Sequence, residues 1–123
     1  MNYPIVLDGE TKEKIMKSAR VRRAITKESL GLFFQIYMAQ YATYPFAKFH
    51  YEMFSLAENE AVKLMVVMAF RNSGKSSVLN TAYSIWSVLG KPQKKFVIIF
   101  SQTQAQAKQH FENLKVELQS NSL

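Results

Sequence analysis

The chain has 123 residues, of which 48% are hydrophobic and 13% aromatic, so it holds enough apolar material to bury the core of one domain. Its net charge of +7 favours an anionic partner such as a nucleic acid, a nucleotide or an acidic protein. The absence of cysteine excludes a disulfide framework and a thiolate metal site. The sequence has no signal-peptide pattern and no run near the ~20 apolar residues of a membrane span, so we expect a soluble, intracellular protein.

The first part of the chain predicts helices. Residues 10–25 are rich in lysine and arginine and have too few apolar positions for a broad buried face, which indicates a surface helix. Thr26 is a reasonable N-cap for a second helix over residues 27–42, whose aromatic side chains recur every three or four positions and predict core packing. Tyr44-Pro45 ends that helix, because proline cannot continue the hydrogen-bond ladder. We interpret residues 1–45 as an N-terminal helical region.

A further helix is predicted over residues 46–59. His50 lies among its apolar positions, just upstream of a candidate phosphate-binding loop. Many nucleotide-binding folds place the residues that hold the base at this point, so His50 is a candidate nucleotide contact. The alternative is a half-buried structural histidine.

The most informative stretch follows. Residues 64–70 are apolar, residues 71–77 are Arg-Asn-Ser-Gly-Lys-Ser-Ser, and a segment with helical spacing comes next. This order predicts a strand, a phosphate-binding loop and a helix, in which backbone N–H groups and the lysine contact phosphates and the hydroxyl holds Mg²⁺. Gly74, Lys75 and Ser76 match the motif, whereas Ala69 replaces its first glycine. The helix would bury one face, made of Val78, Ala82, Ile85, Trp86 and Leu89.

An ordinary turn is the alternative for this loop. Asn72, Ser73 and Gly74 are common turn residues, Lys75 could be solvated, and Ser76 could simply cap the helix. The strand-like run before the loop and the helical spacing after it favour the phosphate-binding interpretation. The partial positive charge at the helix N-terminus would then attract the anion.

The last part of the chain predicts a second strand and a helix. Gly90-Lys91-Pro92 ends the preceding helix, and residues 96–100 form a β-branched and aromatic run typical of a strand buried on both faces. Residues 101–104 fit a capping box for a helix ending near residue 119. The side chains expected to face inward from it are Ala107, Phe111, Leu114 and Leu118.

Alternating strands and helices predict an α/β fold. We interpret residues 46–123 as the first part of a P-loop NTPase domain, a partial RecA-like parallel sheet preceded by the N-terminal helices. The strand ends near Phe70 and Phe100 would open on one edge of the sheet, which places residues 101–104 beside the phosphate loop.

Parts needed for nucleotide hydrolysis are missing. Hydrolysis at such a site needs an aspartate at the end of another apolar strand, and usually a glutamate that orients water. Asp8 is the only aspartate and precedes the loop, while Glu112 and Glu117 lie in the last predicted helix. We therefore expect the chain alone to lack efficient catalysis and to be the front of a larger ATPase.

Two motifs together resemble the N-terminal ATPase domain of phage terminase large subunits, the motors that package viral double-stranded DNA. One is residues 69–76, Ala-Phe-Arg-Asn-Ser-Gly-Lys-Ser, and the other is residues 97–108, Val-Ile-Ile-Phe-Ser-Gln-Thr-Gln-Ala-Gln-Ala-Lys. Members of that family commonly have an arginine-containing phosphate loop without the first glycine, and a second strand that ends in a Ser/Thr-Gln turn. The resemblance covers about residues 46–118.

The resemblance implies an ATP-binding protein with two catalytic candidates, Lys75 and Arg71. Lys75 would bind the β/γ-phosphates, Ser76 the Mg²⁺ ion, and Arg71 would sense or stabilise the γ-phosphate. The other implied phosphate contacts are Asn72, Ser73, Gly74 and Ser77.

The resemblance also implies partners and a compartment. The partners would be double-stranded DNA and, in the intact protein, the portal and the small terminase subunit, with no membrane; it also allows a homo-oligomer. The compartment would be the bacterial host cytoplasm. The turn at residues 101–104 matches a motif thought to link nucleotide state to DNA contact.

This chain departs from the terminase pattern in lacking a second acidic strand, a coupling motif and a nuclease domain. Two alternatives stay open. Another P-loop ATPase, such as a helicase-like protein, would share the motifs after the loop and would have helicase motifs downstream. A non-enzymatic basic module, either a prophage remnant or a nucleic-acid binder, would not depend on Lys75.

Overall fold

The fold is described for residues 7–123 in a computed structural model of the chain. Its α-helices are α1 (Gly9–Lys17), α2 (Ala19–Glu28), α3 (Leu30–Tyr37), α4 (Lys48–Glu58), α5 (Tyr83–Leu89) and α6 (Gln104–Ser120). A 3₁₀ turn, Ala39–Tyr41, follows α3, and a π-helix, Ser77–Ala82, runs directly into α5. No β-strand occurs within residues 7–123, so the predicted α/β fold with a parallel sheet is wrong for this part of the chain.

The two segments predicted as strands are not part of a sheet. In residues 64–70 alternate side chains face solvent, with exposures of 84% at Leu64, 78% at Val66 and 95% at Met68. In residues 96–100 Phe96 and Phe100 are mostly exposed, so this run is not buried on both faces. Apolar alternation is typical of a strand, but a strand forms only where a neighbour supplies the ladder of backbone hydrogen bonds. Residues 7–123 contain no such neighbour.

The predicted single helix over residues 10–25 is two helices. The break falls at Ser18, whose backbone is extended (φ −123°, ψ 107°) and whose Oγ accepts the Val21 N–H at 3.4 Å to cap α2. Asp8 caps α1 in the same way, accepting the Thr11 N–H at 2.7 Å. That hydrogen bond holds the pKa of the Asp8 carboxyl below its ordinary value. The N-cap at Ser18 therefore divides residues 10–25 into two helices, although their composition predicted one.

The predicted N-cap at Thr26 is also wrong. Thr26 lies inside α2, where its Oγ1 donates to the Arg22 carbonyl at 2.8 Å. Ser29 caps α3 instead, because its Oγ accepts the Leu32 N–H at 3.2 Å. The Glu58 carboxylate from α4 adds a second acceptor for this helix end, 3.2 Å from the Gly31 nitrogen.

Helix α6 begins and packs differently from the prediction. Its N-cap is Thr103, which accepts the Gln106 N–H at 3.2 Å, so the capping box predicted at residues 101–104 does not form. Leu114 packs against the core as expected, whereas Phe111 and Leu118 are 58% and 61% exposed. Glu117 is the buried residue of this helix.

The Glu117 carboxylate ties α6 to the 3₁₀ turn. Its oxygens accept from Gln40 Nε2 at 2.9 and 3.1 Å and from the Tyr41 hydroxyl at 2.9 Å. Partial burial, with the hydrogen bond to Glu117, raises the pKa of Tyr41. A carboxylate with these donors tolerates a buried position that an isolated charge would not.

One core holds the helices together. Trp86 is 1% exposed, and its indole Nε1 donates to the Thr26 carbonyl at 2.9 Å. Gly90 is required beside it, because a Cβ there would lie 2.6 Å from Trp86 Nε1. The core residues are Leu30, Phe33, Phe34, Met38, Met53, Phe54, Val78, Ala82, Ile85 and Trp86. They come from both sides of the predicted domain boundary at residues 45 and 46, and that boundary stays a prediction.

We expect Met68→Gln to change the free energy of unfolding by less than about 0.5 kcal/mol, because Met68 is 95% exposed in an unpaired segment. Phe54→Ala is the control in the core, at 0% exposure, and should cost about 3–5 kcal/mol. Urea unfolding followed by circular dichroism measures both. A large loss in Met68→Gln would mean that residues 64–70 are packed in solution, which contradicts this fold.

Candidate phosphate-binding site

The predicted phosphate loop forms a tight turn between the extended segment and a helix. The Ser73 N–H donates to the Phe70 carbonyl at 3.3 Å and closes the turn. Asn72 (φ 64°) and Gly74 (φ 81°) lie in the left-handed region, which glycine enters without cost and asparagine tolerates. Helical conformation begins at Lys75 and continues to residue 89. The helix predicted after the loop is therefore present, and the turn before it is compatible with both interpretations of the loop.

The first turn of this helix leaves backbone donors unused. Val78 has the first N–H that is bonded, to the Gly74 carbonyl at 3.0 Å. The N–H groups of Gly74, Lys75, Ser76 and Ser77 donate to no acceptor within residues 7–123. Such donors at a helix N-terminus, with the positive end of the helix dipole, favour an anion.

His50 supports the loop from α4. Its Nδ1 accepts the Ala47 N–H at 2.9 Å, which leaves the proton on Nε2, and Nε2 donates to the Ser73 carbonyl at 2.7 Å. The Phe49 ring lies 4.0 Å from the His50 ring, centroid to centroid. Both ring nitrogens are thus engaged in holding the loop and the start of α4. The geometry shows structural support, and a contact to a base through His50 would have to break one of these bonds.

Two cations lie at the loop without a carboxylate partner. Lys75 folds back over the turn, and its Nζ donates to the Phe70 carbonyl at 3.3 Å. Arg71 is exposed. Neither side chain takes part in an ion pair with a residue of the described chain. The loop therefore combines uncompensated positive charge with the unused backbone donors.

Ser73 adds a buried hydroxyl to the same turn. The residue is 3% exposed, and its Oγ makes no hydrogen bond to the part of the chain that the structure describes. Buried hydroxyls are usually paired, and leaving one unpaired costs about 1–3 kcal/mol. Ser73 is thus a polar group whose bonding capacity the fold does not use.

A cleft of about 490 Å³ lies beside the loop. Lys75 and Ser76 line it together with three polar residues that the sequence analysis did not single out, Lys63, Asn80 and Tyr83. Ser76, Asn80 and Tyr83 are spaced by four and three residues, so a helical plot of the segment could have placed them on one face. The π-helix shifts this face, since the Tyr83 N–H bonds to the Val78 carbonyl five residues earlier.

Few protein side chains near the loop could coordinate Mg²⁺. Within residues 7–123 no three histidine, cysteine, aspartate or glutamate side chains cluster as a metal site. Ser76 is exposed at the loop, whereas Asp8 caps α1 and Glu112 pairs with Lys115 at 3.1 Å. Mg²⁺ commonly takes most of its ligands from phosphate and water, so one hydroxyl fits a nucleotide-bound ion but not an independent metal site.

The expected meeting of the loop with residues 101–104 is not seen. Without a sheet, nothing in the described chain aligns the ends of the two extended segments, and no hydrogen bond joins that turn to residues 71–77. Of the predicted site residues, the structure brings together the seven of the loop and His50. It leaves the second motif apart.

Comparison with known proteins gives no relative. No family model, no curated protein and no solved structure matches the chain. In the described part of the chain, no helix has the length and apolar character needed to cross a bilayer.

We expect His50→Ala to loosen the loop, because the Ser73 carbonyl and the Ala47 N–H both lose a partner. The free energy of unfolding should fall by about 1–2 kcal/mol, and amide hydrogen exchange should accelerate at Ser73 and Gly74. His110→Ala is the control, since this α6 residue makes no hydrogen bond to the described chain. Unchanged exchange at Ser73 and Gly74 in His50→Ala would rule out the supporting role.

Proposed function

We propose that the chain binds the phosphate groups of ATP, with Mg²⁺, through residues 71–77. The observation that carries this proposal is the set of unused N–H groups from Gly74 to Ser77 at the start of a long helix, next to two unpaired cations. Each part is a common anion-binding feature, and all of them belong to residues 71–77. The proposal rests on this loop and helix and does not require a sheet.

Each loop residue has a role in this proposal. Lys75 exchanges its hydrogen bond with the Phe70 carbonyl for one with a β- or γ-phosphate oxygen, and Ser76 supplies the hydroxyl to Mg²⁺. Ser73 and the loop N–H groups form the cradle, while exposed Arg71 is the candidate for the γ-phosphate. In this proposal the positive-φ conformations of Asn72 and Gly74 let the neighbouring N–H groups face the anion. Bound ATP supplies the phosphoanhydride whose hydrolysis would drive a motor.

At a finer level, we propose that this segment belongs to a terminase large subunit. The support is sequence-based, namely the loop arginine, the missing first glycine and the Ser-Gln-Thr-Gln turn at residues 101–104. Lys75 and Arg71 would then be catalytic only in an intact motor that supplies the missing carboxylates. Double-stranded DNA is the proposed partner, together with the portal and the small subunit. The net charge of +7 supports weak, salt-sensitive DNA binding by the chain itself.

Lys75→Ala should weaken binding of a fluorescent ATP analogue. A hydrogen bond to a charged group is worth about 1.5–3 kcal/mol, so we expect the Kd to rise about 10- to 100-fold. Lys108→Ala is the matched control, because it removes the same charge from an exposed position on α6. Fluorescence titration in the presence of Mg²⁺ measures all three proteins.

The same titration distinguishes the non-enzymatic alternative. If the wild-type chain, Lys75→Ala and Lys108→Ala bind the analogue equally, the loop has no specific role and the chain is a basic module. Equal losses in both variants would indicate that net charge, and not the loop, governs binding.

A further inference from the structure

A second pocket shares no lining residue with the cleft beside the phosphate loop. It has a volume of about 420 Å³ and opens between α2, α3, α5 and the end of α6. We call it the α2/α6 pocket. Its volume lies within the range of about 300–1,000 Å³ that is usual for small-molecule sites. Its lining residues include Arg23, Lys27, Phe33, Met38, Ile85, Leu89, Glu117 and Leu118.

The floor of the α2/α6 pocket is apolar. Phe33, Met38 and Ile85 belong to the core and are at most 8% exposed. Leu89 and Leu118 also line the pocket, yet they are 63% and 61% exposed. Large exposed aliphatic side chains around a concave apolar floor mark a surface whose burial by a ligand is favourable. An apolar ligand body would cover it.

Two cations of the pocket have no ion-pair partner among the described residues. Arg23 and Lys27 lie one turn apart on α2 and are exposed, and neither forms an ion pair with another described residue. The acid of the pocket, Glu117, is already engaged by Gln40 and Tyr41 at 2.9 Å each. The pocket therefore presents unused cations and an acid whose oxygens already accept hydrogen bonds.

Arg22 of α2 is a further cation near the pocket, because it contacts Leu123, which lines the pocket. It is 7% exposed, and its guanidinium donates to the Met16 carbonyl at 2.7 Å and to the Leu123 backbone oxygen at 3.4 Å. Its Nε is buried without a hydrogen bond to residues 7–123.

We propose that the α2/α6 pocket binds a small amphiphile with an apolar body and a single anionic head. The body covers Phe33, Ile85 and Leu118, and the head pairs with Arg23 and Lys27 at the rim. This site is separate from the phosphate loop and does not depend on the proposed nucleotide binding. Charge complementarity selects the anionic head, and the apolar floor rejects a purely polar anion such as inorganic phosphate.

The test compares two probes of equal chain length by isothermal titration calorimetry, below their micelle concentrations. Dodecanoate should bind the wild-type chain at one site, at least tenfold more tightly than dodecyltrimethylammonium. The double variant Arg23→Gln/Lys27→Gln should weaken dodecanoate at least tenfold. The control is Lys94→Gln/Lys95→Gln, which removes the same charge beside the exposed segment 96–100 and should bind like wild type.

A second pair of variants tests the position of the ligand body. Leu89→Asp places a carboxylate at the pocket and should abolish dodecanoate binding, while Leu64→Asp, at an 84% exposed position elsewhere, should not change it. Both sites are exposed, so both variants should fold, which circular dichroism checks. Equal binding of the two probes, or equal losses in either variant pair, would show adsorption to exposed apolar surface and would overturn the proposal.

Discussion

The hydrogen bond from the Trp86 indole to the Thr26 carbonyl connects the candidate phosphate site to the rest of the fold. Thr26 lies in the last turn of α2, where the backbone carbonyls have no N–H partner within the helix. The Trp86 indole and the Lys91 N–H, which donates to the Lys27 carbonyl at 2.9 Å, satisfy two of these groups. Trp86 is also buried in the core. The helix that begins at the loop is therefore fixed in position against α2 and α3.

The other end of that helix is held by a different contact. His50 fixes the Ser73 carbonyl from α4, and α4 itself packs on α3 through Phe34 and Phe54, whose ring centroids lie 5.9 Å apart. The helix that begins at the loop is thus held near both ends by elements that share one core. Backbone donors that are already oriented lose less entropy on binding an anion, which is how a fold can favour phosphate before any ligand is present.

Local chemistry could be predicted from this sequence, and long-range pairing could not. The turn at Asn72 and Gly74, the helix after it and the α4 helix follow from short-range preferences, and all three are present. The prediction of strands failed because residues 64–70 and 96–100 have strand-like patterns but no neighbouring strand to pair with in the described chain. The α2/α6 pocket was missed for a related reason, since its walls come from helices distant in sequence. The prediction of N-cap residues failed where more than one hydroxyl residue could cap the same helix, as Thr26 and Ser29 could for α3.

The most direct measurement of the phosphate-site proposal is a ¹⁵N–¹H correlation spectrum of the chain titrated with Mg²⁺-ATP. If residues 71–77 bind the phosphates, the amide signals of Gly74, Lys75, Ser76 and Ser77 should move downfield together and saturate. Tripolyphosphate should move the same signals, because the phosphates and not the base make these contacts. Shifts confined to the exposed lysines near residue 94, or no saturable shift at the loop, would contradict the account.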